Sequence, residues 1–193
     1  MQWPMIGKVS FMKVELLSEQ VGLLVIDYQE RLSAAMNPGI LSQCVQNTSN
    51  LLNLFQLMKL PIVLTEQYPR GLGHTLEVLA DTGAPTFEKT SFSTFGDPEI
   101  RRHMTEKEKK QWVVVGMESH ICVYQSVRDL LAEGYSVWVP RDAVVSRQKS
   151  NWQTGLDLMK TAGAHISSTE AIMFDMLKVG QGEPFKAVSR MIR

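Results

Sequence analysis

The sequence contains the stretch Trp112-Val-Val-Val-Gly-Met-Glu-Ser-His-Ile-Cys-Val123, which predicts a buried strand followed by a turn and a helix. Its first four residues are apolar, as in a parallel strand covered on both faces. Gly116 ends this run, and Cys122 falls in the first turns of the predicted helix. A helix N-terminus carries partial positive charge and unpaired N–H groups, which stabilise a thiolate. We therefore expect Cys122 to be a nucleophile with a lowered pKa.

Outward from this stretch, short apolar runs alternate with amphipathic segments. The apolar runs predict strands at 21–26, 61–65, 112–115, 135–139 and 164–167. The amphipathic segments predict helices at 40–60, 98–104, 122–133, 150–162 and 183–193, with a further helix beginning at Ser168. The stretch 66–85 is predicted to be a long loop with one helical turn near 76–79, and loops of that length are often functional. This alternation predicts a parallel α/β sheet with helices on both faces.

Length and composition limit the function classes. A chain of 193 residues predicts a single domain, here with residues 1–20 as an N-terminal arm. Twenty basic residues balance twenty acidic ones, so no net charge favours nucleic acid or an anionic membrane as a partner. The two cysteines, Cys44 and Cys122, form neither a disulfide framework nor a CxxC pair. Together with the absence of a membrane-length apolar run and of a secretory signal, this predicts a cytoplasmic protein.

Three chemically capable side chains should meet at one edge of the sheet, because the carboxyl ends of parallel strands lie together. They are Asp27, Lys89 and Cys122. Asp27 and the segment that carries Cys122 follow apolar strands directly, whereas Lys89 follows a shorter strand. A carboxylate can take the thiol proton and return it to a leaving group, and an ammonium keeps that carboxylate ionised and lowers the thiol pKa. Each residue also has an ordinary alternative, since Asp27 could cap a turn, Lys89 could be solvated and Cys122 could simply pack.

Several motifs together resemble the isochorismatase-like cysteine hydrolase family. The matching segments are Leu24-Val-Ile-Asp-Tyr-Gln29, Phe87-Glu-Lys-Thr-Ser-Phe92 and Gly116-Met-Glu-Ser-His-Ile-Cys-Val123. Two further stretches, at 63–73 and 141–147, look most like the isochorismatase domain-containing proteins of undefined substrate. The resemblance extends over about residues 20–190.

The resemblance implies a three-layer Rossmann-like fold with a mainly parallel sheet of about six strands flanked by helices. It also implies a triad in which Asp27 is the base, Lys89 the activating cation and Cys122 the nucleophile. A cis non-proline peptide is expected just before Glu118, and the amides of Glu118 and Cys122 are expected to form an oxyanion hole. The family further implies a small-molecule substrate and a homo-oligomer, a dimer or larger.

Two departures from the family patterns narrow this interpretation. Nicotinamidase-like members carry an Asp-x-His metal pair where this chain has Glu66-Gln67-Tyr68, with His74 beyond. One histidine and one carboxylate are too few for a confident site, so we expect no metal and no other cofactor. Isochorismatases proper lack the cysteine, whereas Cys122 is present here, which favours covalent thioester chemistry.

Five further residues are candidates for substrate contact, each with a structural alternative. Tyr28 and Gln29 follow the expected base and either line the pocket or pack. Tyr68 lies in the glycine-bearing loop, which either closes over the site or is a plain surface loop. Phe92 either stacks on a planar substrate or packs in the core. His120 lies two residues before Cys122, too close along a helix to face it, so a pocket-lining or structural role is expected.

The leading hypothesis is a metal-independent cysteine hydrolase that cleaves a small amide or related C–N bond through a thioester on Cys122. The alternative is a catalytically silent interaction protein that keeps the fold. A nucleotide-binding redox domain is disfavoured, because no G-x-G-x-x-G follows the first strand.

Overall fold

The computed structural model describes residues 15–192 of the chain. Most of the N-terminal arm predicted for residues 1–20 lies outside that range, so this prediction is addressed only from residue 15 onward. There, Leu16 is buried, and the 3₁₀ turn Ser18–Gln20 leads into the first strand.

Within residues 15–192 the strands form one seven-stranded sheet. In chain order they are β1 (Val21–Ile26), β2 (Ile62–Gln67), β3 (Thr86–Lys89), β4 (Gln111–Met117), β5 (Ser136–Pro140), β6 (Val144–Val145) and β7 (His165–Ser167). Their order across the sheet is β3-β2-β1-β4-β5-β7, and all of these neighbours pair in parallel. The short β6 pairs with the carboxyl end of β4, whereas β5 pairs with the amino-terminal half of β4 on the same edge.

Nine α-helices accompany the sheet over the same described range. They are α1 (Glu30–Ala34), α2 (Pro38–Leu57), α3 (Pro69–Leu72), α4 (Glu77–Ala80), α5 (Pro98–Glu106), α6 (Tyr124–Ala132), α7 (Lys149–Ala162), α8 (Thr169–Leu177) and α9 (Gly182–Met191). None of the helices between residues 15 and 192 is both long and apolar enough to cross a bilayer.

The central strands send alternate side chains into two cores, one on each face of the sheet. In β4, Val113 and Val115 join the core formed with α2, α8 and α9, whereas Trp112 and Val114 join the core formed with α5, α6 and α7. This period of two, with both faces apolar, is what a strand in the middle of an α/β sandwich requires. The three-layer α/β fold expected from the sequence is therefore confirmed.

The structure also shows where the sequence pattern was incomplete. The sheet has seven strands rather than about six, because β6 has only two residues and leaves no recognisable pattern. The predicted loop 66–85 contains the end of β2 and two short helices, α3 and α4. The helical turn expected near 76–79 is present as α4.

The strand order reverses at β1, since β2 pairs on one of its edges and the later strand β4 pairs on the other. Ligands bind at the carboxyl ends of the strands at such a switch point. At this point Gly116 has φ +135°, and a Cβ there would lie 2.2 Å from the carbonyl oxygen of Ile26. The absence of a side chain at Gly116 therefore lets β1 and β4 end side by side.

Candidate active site

Asp27, Lys89 and Cys122 lie together at this edge of the sheet. Asp27 directly follows β1, Lys89 is the last residue of β3, and Cys122 lies in the turn that follows β4. All three are buried, with exposed fractions of 0%, 2% and 6%. The convergence expected from three separate strand ends is thus present in the fold.

A buried ion pair is the centre of the site. The Lys89 Nζ donates to Asp27 Oδ2 at 2.7 Å, and it also donates to Gln67 Oε1 at 2.8 Å. Thr65 Oγ1 donates to the other carboxylate oxygen of Asp27 at 2.7 Å. A buried charge is tolerable only when it is paired and hydrogen-bonded, and both members meet that condition here.

The carbonyl oxygens of the loop after β3 complete the surroundings of the ammonium. Lys89 Nζ donates to the carbonyl oxygens of Phe92 at 3.2 Å and Ser91 at 3.3 Å. With its contacts to Asp27 and Gln67, the lysine is held by groups from three separate segments. This arrangement fixes the ammonium next to the carboxylate.

The thiol of Cys122 lies close enough to the carboxylate of Asp27 for each group to influence the other's ionisation. Burial raises the pKa of Asp27 above its usual value, while the charge of Lys89 and the hydrogen bonds from Lys89 and Thr65 oppose that rise. Burial also raises the pKa of Cys122, to about 12, and the negative charge of Asp27 adds to this effect more than Lys89 offsets it. The resting site therefore holds a neutral thiol beside a base.

This result corrects the expectation that Cys122 has a lowered pKa. Cys122 does lie in the first turn of a helical segment, as expected, and this turn is π-helical from Ser119 to Val123 before α6 begins at Tyr124. Burial of the thiol outweighs the effect of the helix start. The positive charge of Lys89 is already paired with Asp27, so little of it is left to stabilise a thiolate.

We call residues 118–123 the nucleophile turn. The peptide between Met117 and Glu118 is cis, as the sequence resemblance implied. The carboxylate of Glu118 accepts from the backbone N–H of Arg147 at 3.0 Å and from its Nε at 3.1 and 3.2 Å. Arg147 thus holds the residue whose amide is an expected oxyanion donor.

Ser146 holds the next part of the nucleophile turn. Its hydroxyl accepts from the backbone N–H of Ser119 at 3.1 Å, lies 2.6 Å from the Ser119 hydroxyl, and lies 3.1 Å from His120 Nδ1. Helix α7 packs against the same turn through Gly155, where a Cβ would lie 2.7 Å from the carbonyl oxygen of Ser119. The turn is therefore fixed from two directions.

The candidate substrate residues divide into two groups. Tyr28 is fully buried and donates to the carbonyl oxygen of Ala143, and Gln29 is fully buried and bonds to the backbone of Gln67 and Gly73. Because both side chains are buried and hydrogen-bonded to the backbone of other segments, the packing alternative is favoured.

The other three candidates remain accessible. Tyr68 is 56% exposed and Phe92 is 53% exposed, and the backbone of each is hydrogen-bonded to Lys89, through the Tyr68 N–H and the Phe92 carbonyl oxygen. His120 is half-buried, with one ring nitrogen on Ser146. These residues are therefore available to a substrate that approaches the triad.

Glu66 and His74, considered above as metal ligands, are engaged with each other and with Thr75. The Glu66 carboxylate accepts from the Thr75 N–H at 2.6 Å and hydroxyl at 2.8 Å, and lies 3.1 Å from His74 Nδ1. Burial acts to raise the pKa of Glu66, but these hydrogen bonds outweigh it and lower the pKa. Among residues 15–192, no cluster of three or more histidine, cysteine or acidic side chains could hold a metal ion.

Sequence reasoning missed several residues that position this site. Thr65 and Gln67 orient the ion pair, and Ser146 holds the nucleophile turn. Thr65 could have been found, because it pairs in register with Ile26 on the neighbouring parallel strand and so ends beside Asp27. Ser146 left no such signal, since its contact depends on how the segment after β6 folds back.

Comparisons with known proteins agree with this geometry. The family model described as Isochorismatase domain matches residues 21–171. Isochorismatase family protein 1B of Dictyostelium discoideum is 34% identical over 151 residues, which cover 75% of this chain and 73% of that protein. The structure of MAR1 ribonuclease from Caenorhabditis elegans superposes with a TM-score of 0.85 at 30% identity, and the match covers 92% of each chain.

A more distant structure supports the fold alone. The YcaC gene product from Escherichia coli, described as an octameric hydrolase of unknown specificity, has a TM-score of 0.86 at 19% identity, with 93% of this chain and 89% of that one covered. The family model and the relatives above 30% identity, taken with the fold, show that this chain belongs to the isochorismatase family.

Proposed function

We propose that this protein is a metal-independent cysteine hydrolase that cleaves a small amide or related C–N bond through a thioester on Cys122. The observation that carries the proposal is the buried Asp27–Lys89 ion pair, whose carboxylate interacts electrostatically with the buried Cys122 thiol. A neutral thiol beside an ionised carboxylate is the arrangement that general-base activation of a nucleophile needs.

In the first half-reaction, Asp27 takes the proton of Cys122 as the sulfur forms a bond to the substrate carbonyl carbon. We expect the amides of Glu118 and Cys122 to stabilise the resulting oxyanion, and one such donor is typically worth about 3–4 kcal/mol. The C–N bond then breaks, and Asp27 gives its proton to the leaving amine. The product of this half-reaction is a thioester.

In the second half-reaction, water replaces the amine. Asp27 removes a proton from the water as its oxygen attacks the thioester carbonyl, and the proton returns to the Cys122 sulfur when the C–S bond breaks. Lys89 remains charged throughout and keeps Asp27 ionised between the two half-reactions. The products are a carboxylic acid and the free thiol.

The burial of the triad favours a small substrate. Cys122 is only 6% exposed, and Asp27 and Lys89 are more deeply buried. The accessible aromatic side chains of Tyr68 and Phe92 can contact a planar group near Lys89. A compact amide with a flat substituent therefore suits the site best.

The experiment that tests this proposal is peptide mass spectrometry after brief exposure to p-nitrophenyl acetate and to a panel of small amides. We expect a transient acyl group on Cys122, none on Cys44, and loss of turnover in Cys122→Ala. Turnover that is unchanged in Cys122→Ala, with no acylated cysteine, would contradict the proposal.

A catalytically silent interaction protein is a second candidate, and the raised pKa of Cys122, about 12, is the observation that favours it. If Cys122 of the folded protein is not acylated and no member of the panel is hydrolysed, the interaction-protein alternative is supported.

The similarity to MAR1 ribonuclease makes RNA a further substrate to test. The equal numbers of basic and acidic residues give this chain no net attraction to a phosphate backbone, which supports a small uncharged substrate instead. RNA cleavage that disappears in Cys122→Ala would reverse that preference.

Assembly into a homo-oligomer is part of the proposal and is supported by the fold shared with the octameric YcaC hydrolase. Light scattering coupled to size-exclusion chromatography tests it directly. We expect a mass above that of one chain of 21.8 kDa.

A further inference from the structure

A cavity with a volume of about 750 Å³ adjoins the nucleophile turn, because Ser146 and Arg147, which hold that turn, line it. It is bounded by the start of α2, the segment 141–147, the start of α7, and Ser168. Neither Asp27 nor Lys89 nor Cys122 lines it. Its volume falls in the range of about 300–1,000 Å³ that is typical of small-molecule sites.

Apolar side chains form much of its wall. Ile40 and Trp152 lie towards solvent, whereas Cys44, Val144 and Val145 are buried. A ligand with an apolar chain or ring would therefore remove apolar surface from water, which is worth about 25 cal/mol for each Å².

Positive charge surrounds this apolar wall. Arg141, Arg147 and Lys149 line the cavity, and the one acidic side chain in the lining is Asp142. The carboxylate of Asp142 already accepts from the N–H and the hydroxyl of Thr169 at 2.8 and 2.9 Å. The acidic group is thus occupied by hydrogen bonds, and the cavity presents an excess of cations.

Two of the three cations are available to a ligand. Arg147 is committed to Glu118, but Arg141 lies over the Trp152 ring at 5.2 Å and forms no ion pair within residues 15–192. Lys149 is exposed and likewise has no acidic partner in the described part of the chain. A carboxylate placed between Arg141 and Lys149 would find two unneutralised partners.

We propose that this cavity binds an amphipathic small-molecule carboxylate, with its apolar part against Ile40 and Trp152 and its carboxylate near Arg141 and Lys149. A second copy of this chain fits less well. A two-fold contact centred here would bring Arg141 and Lys149 close to the same residues of the other copy, and like charges at an interface are unfavourable. The site does not depend on the cysteine chemistry proposed above.

The test measures binding of octanoate to the full chain by isothermal titration calorimetry at neutral pH, with 1-octanol as the uncharged control. We expect octanoate to bind about tenfold more tightly than 1-octanol, and added salt to weaken it, because the difference is electrostatic. Lys149→Glu should weaken the binding of octanoate by about fivefold or more and leave the affinity for 1-octanol nearly unchanged. Ile40→Glu should abolish the binding of both ligands.

Lys160→Glu provides the matched control, because Lys160 is an exposed lysine on the same helix but does not line the cavity. It should leave the affinity for octanoate within about twofold of the wild type. The position of binding is read from Cys44, whose alkylation by iodoacetamide should slow when octanoate is present, while that of Cys122 should not.

Three results would overturn the proposal. Equal affinity for octanoate and 1-octanol would show that Arg141 and Lys149 do not contribute to binding. Protection of Cys122 instead of Cys44 would show that the ligand binds at the triad. Failure of octanoate to bind, together with a lower oligomer mass for Ile40→Glu, would show that a second copy occupies the cavity.

Discussion

Cys44 and Cys122 are two buried thiols in similar electrostatic conditions, yet their surroundings differ in kind. Burial raises the pKa of each to about 12. The sulfur of Cys44 lies 3.7 Å from the carbonyl oxygen of Val144, a group that can accept a proton only weakly. Cys122 instead meets a carboxylate that is paired with Lys89. The comparison teaches that the adjacent base, and not the pKa of the thiol, marks the candidate nucleophile.

The largest expected difference between the two cysteines is in turnover. Cys122→Ala should lower kcat by about 10⁴-fold or more on a substrate found by the acylation assay, because the bond-forming atom is lost. Cys44→Ala should leave kcat within about twofold, since it removes only a small buried group. Similar losses in both variants would mean that the effect comes from packing.

The ion pair beside Cys122 gives the next largest effect, on stability. Lys89→Met leaves the carboxylate of Asp27 buried without its partner, and we expect the free energy of unfolding to fall by about 3–5 kcal/mol in urea denaturation. The double variant Asp27→Asn with Lys89→Met should regain most of that loss, because no buried charge remains.

Asn47→Ala is the control for the region around Cys44. It removes two hydrogen bonds, from Nδ2 to the carbonyl oxygen of Asp142 at 2.8 Å and from Gln43 Nε2 to Oδ1 at 3.1 Å, and should cost about 1–2 kcal/mol. A loss for Lys89→Met as small as this one would contradict a charged, buried pair.

The rate of alkylation by iodoacetamide should distinguish the acidity of the Cys122 thiol from its role in turnover. In the wild type, both thiols have a pKa of about 12, so iodoacetamide labelling of each should rise about tenfold for each unit of pH above neutral, with no plateau near 8.5. Asp27→Asn removes the negative charge that raises the Cys122 pKa and leaves Lys89 unbalanced. Labelling of Cys122 should therefore become about tenfold faster at neutral pH or more, while turnover falls.

Cys44 is the internal control in that experiment, and its labelling rate should not change in Asp27→Asn. Slower labelling of Cys122 in this variant would show that Asp27 does not hold the thiol pKa up. Retained turnover would show that another group acts as the base.

The smallest expected effect concerns two buried threonines, one near each cysteine. Thr65→Val removes the hydrogen bond to Asp27 Oδ1, which favours the ionised form, so the pKa of Asp27 should rise further. Asp27 must be ionised to act as a base, so the low-pH limb of kcat/KM should move to higher pH.

Thr48→Val provides the matched loss near Cys44, where the hydroxyl donates to the Tyr28 hydroxyl at 3.2 Å. Both variants should lose about 1 kcal/mol of stability, but only Thr65→Val should move the pH profile. A shift in both would argue that the profile reports unfolding.

The central strands could be predicted from sequence because their apolar runs carry the signal themselves. The run at residues 21–26 is continuous and short, and it forms β1 with the bounds predicted. Amphipathic spacing likewise predicted helix α7, and a glycine predicted its end. That glycine, Gly163, has φ +107° in the structure. The meeting of Asp27, Lys89 and Cys122 followed from the rule that parallel strands end at one edge.

Other features depend on contacts between distant segments and leave no local pattern. The clamp of Glu118 by Arg147 and the support of Ser119 by Ser146 join residues more than twenty positions apart. The pKa of Cys122 was predicted in the wrong direction because the degree of burial and the pairing of Lys89 with Asp27 appear only in the folded chain.

Helix α7 contributes no reacting group, yet it contacts the nucleophile turn where Gly155 has no side chain. Even a methyl group there would press on the backbone of Ser119, so the turn would have to shift. A saturation mutagenesis screen scored on activity should therefore rank position 155 with the residues of the triad. Positions at which such a screen tolerates no substitution will therefore include residues that fix the shape of the site as well as residues that take part in its chemistry.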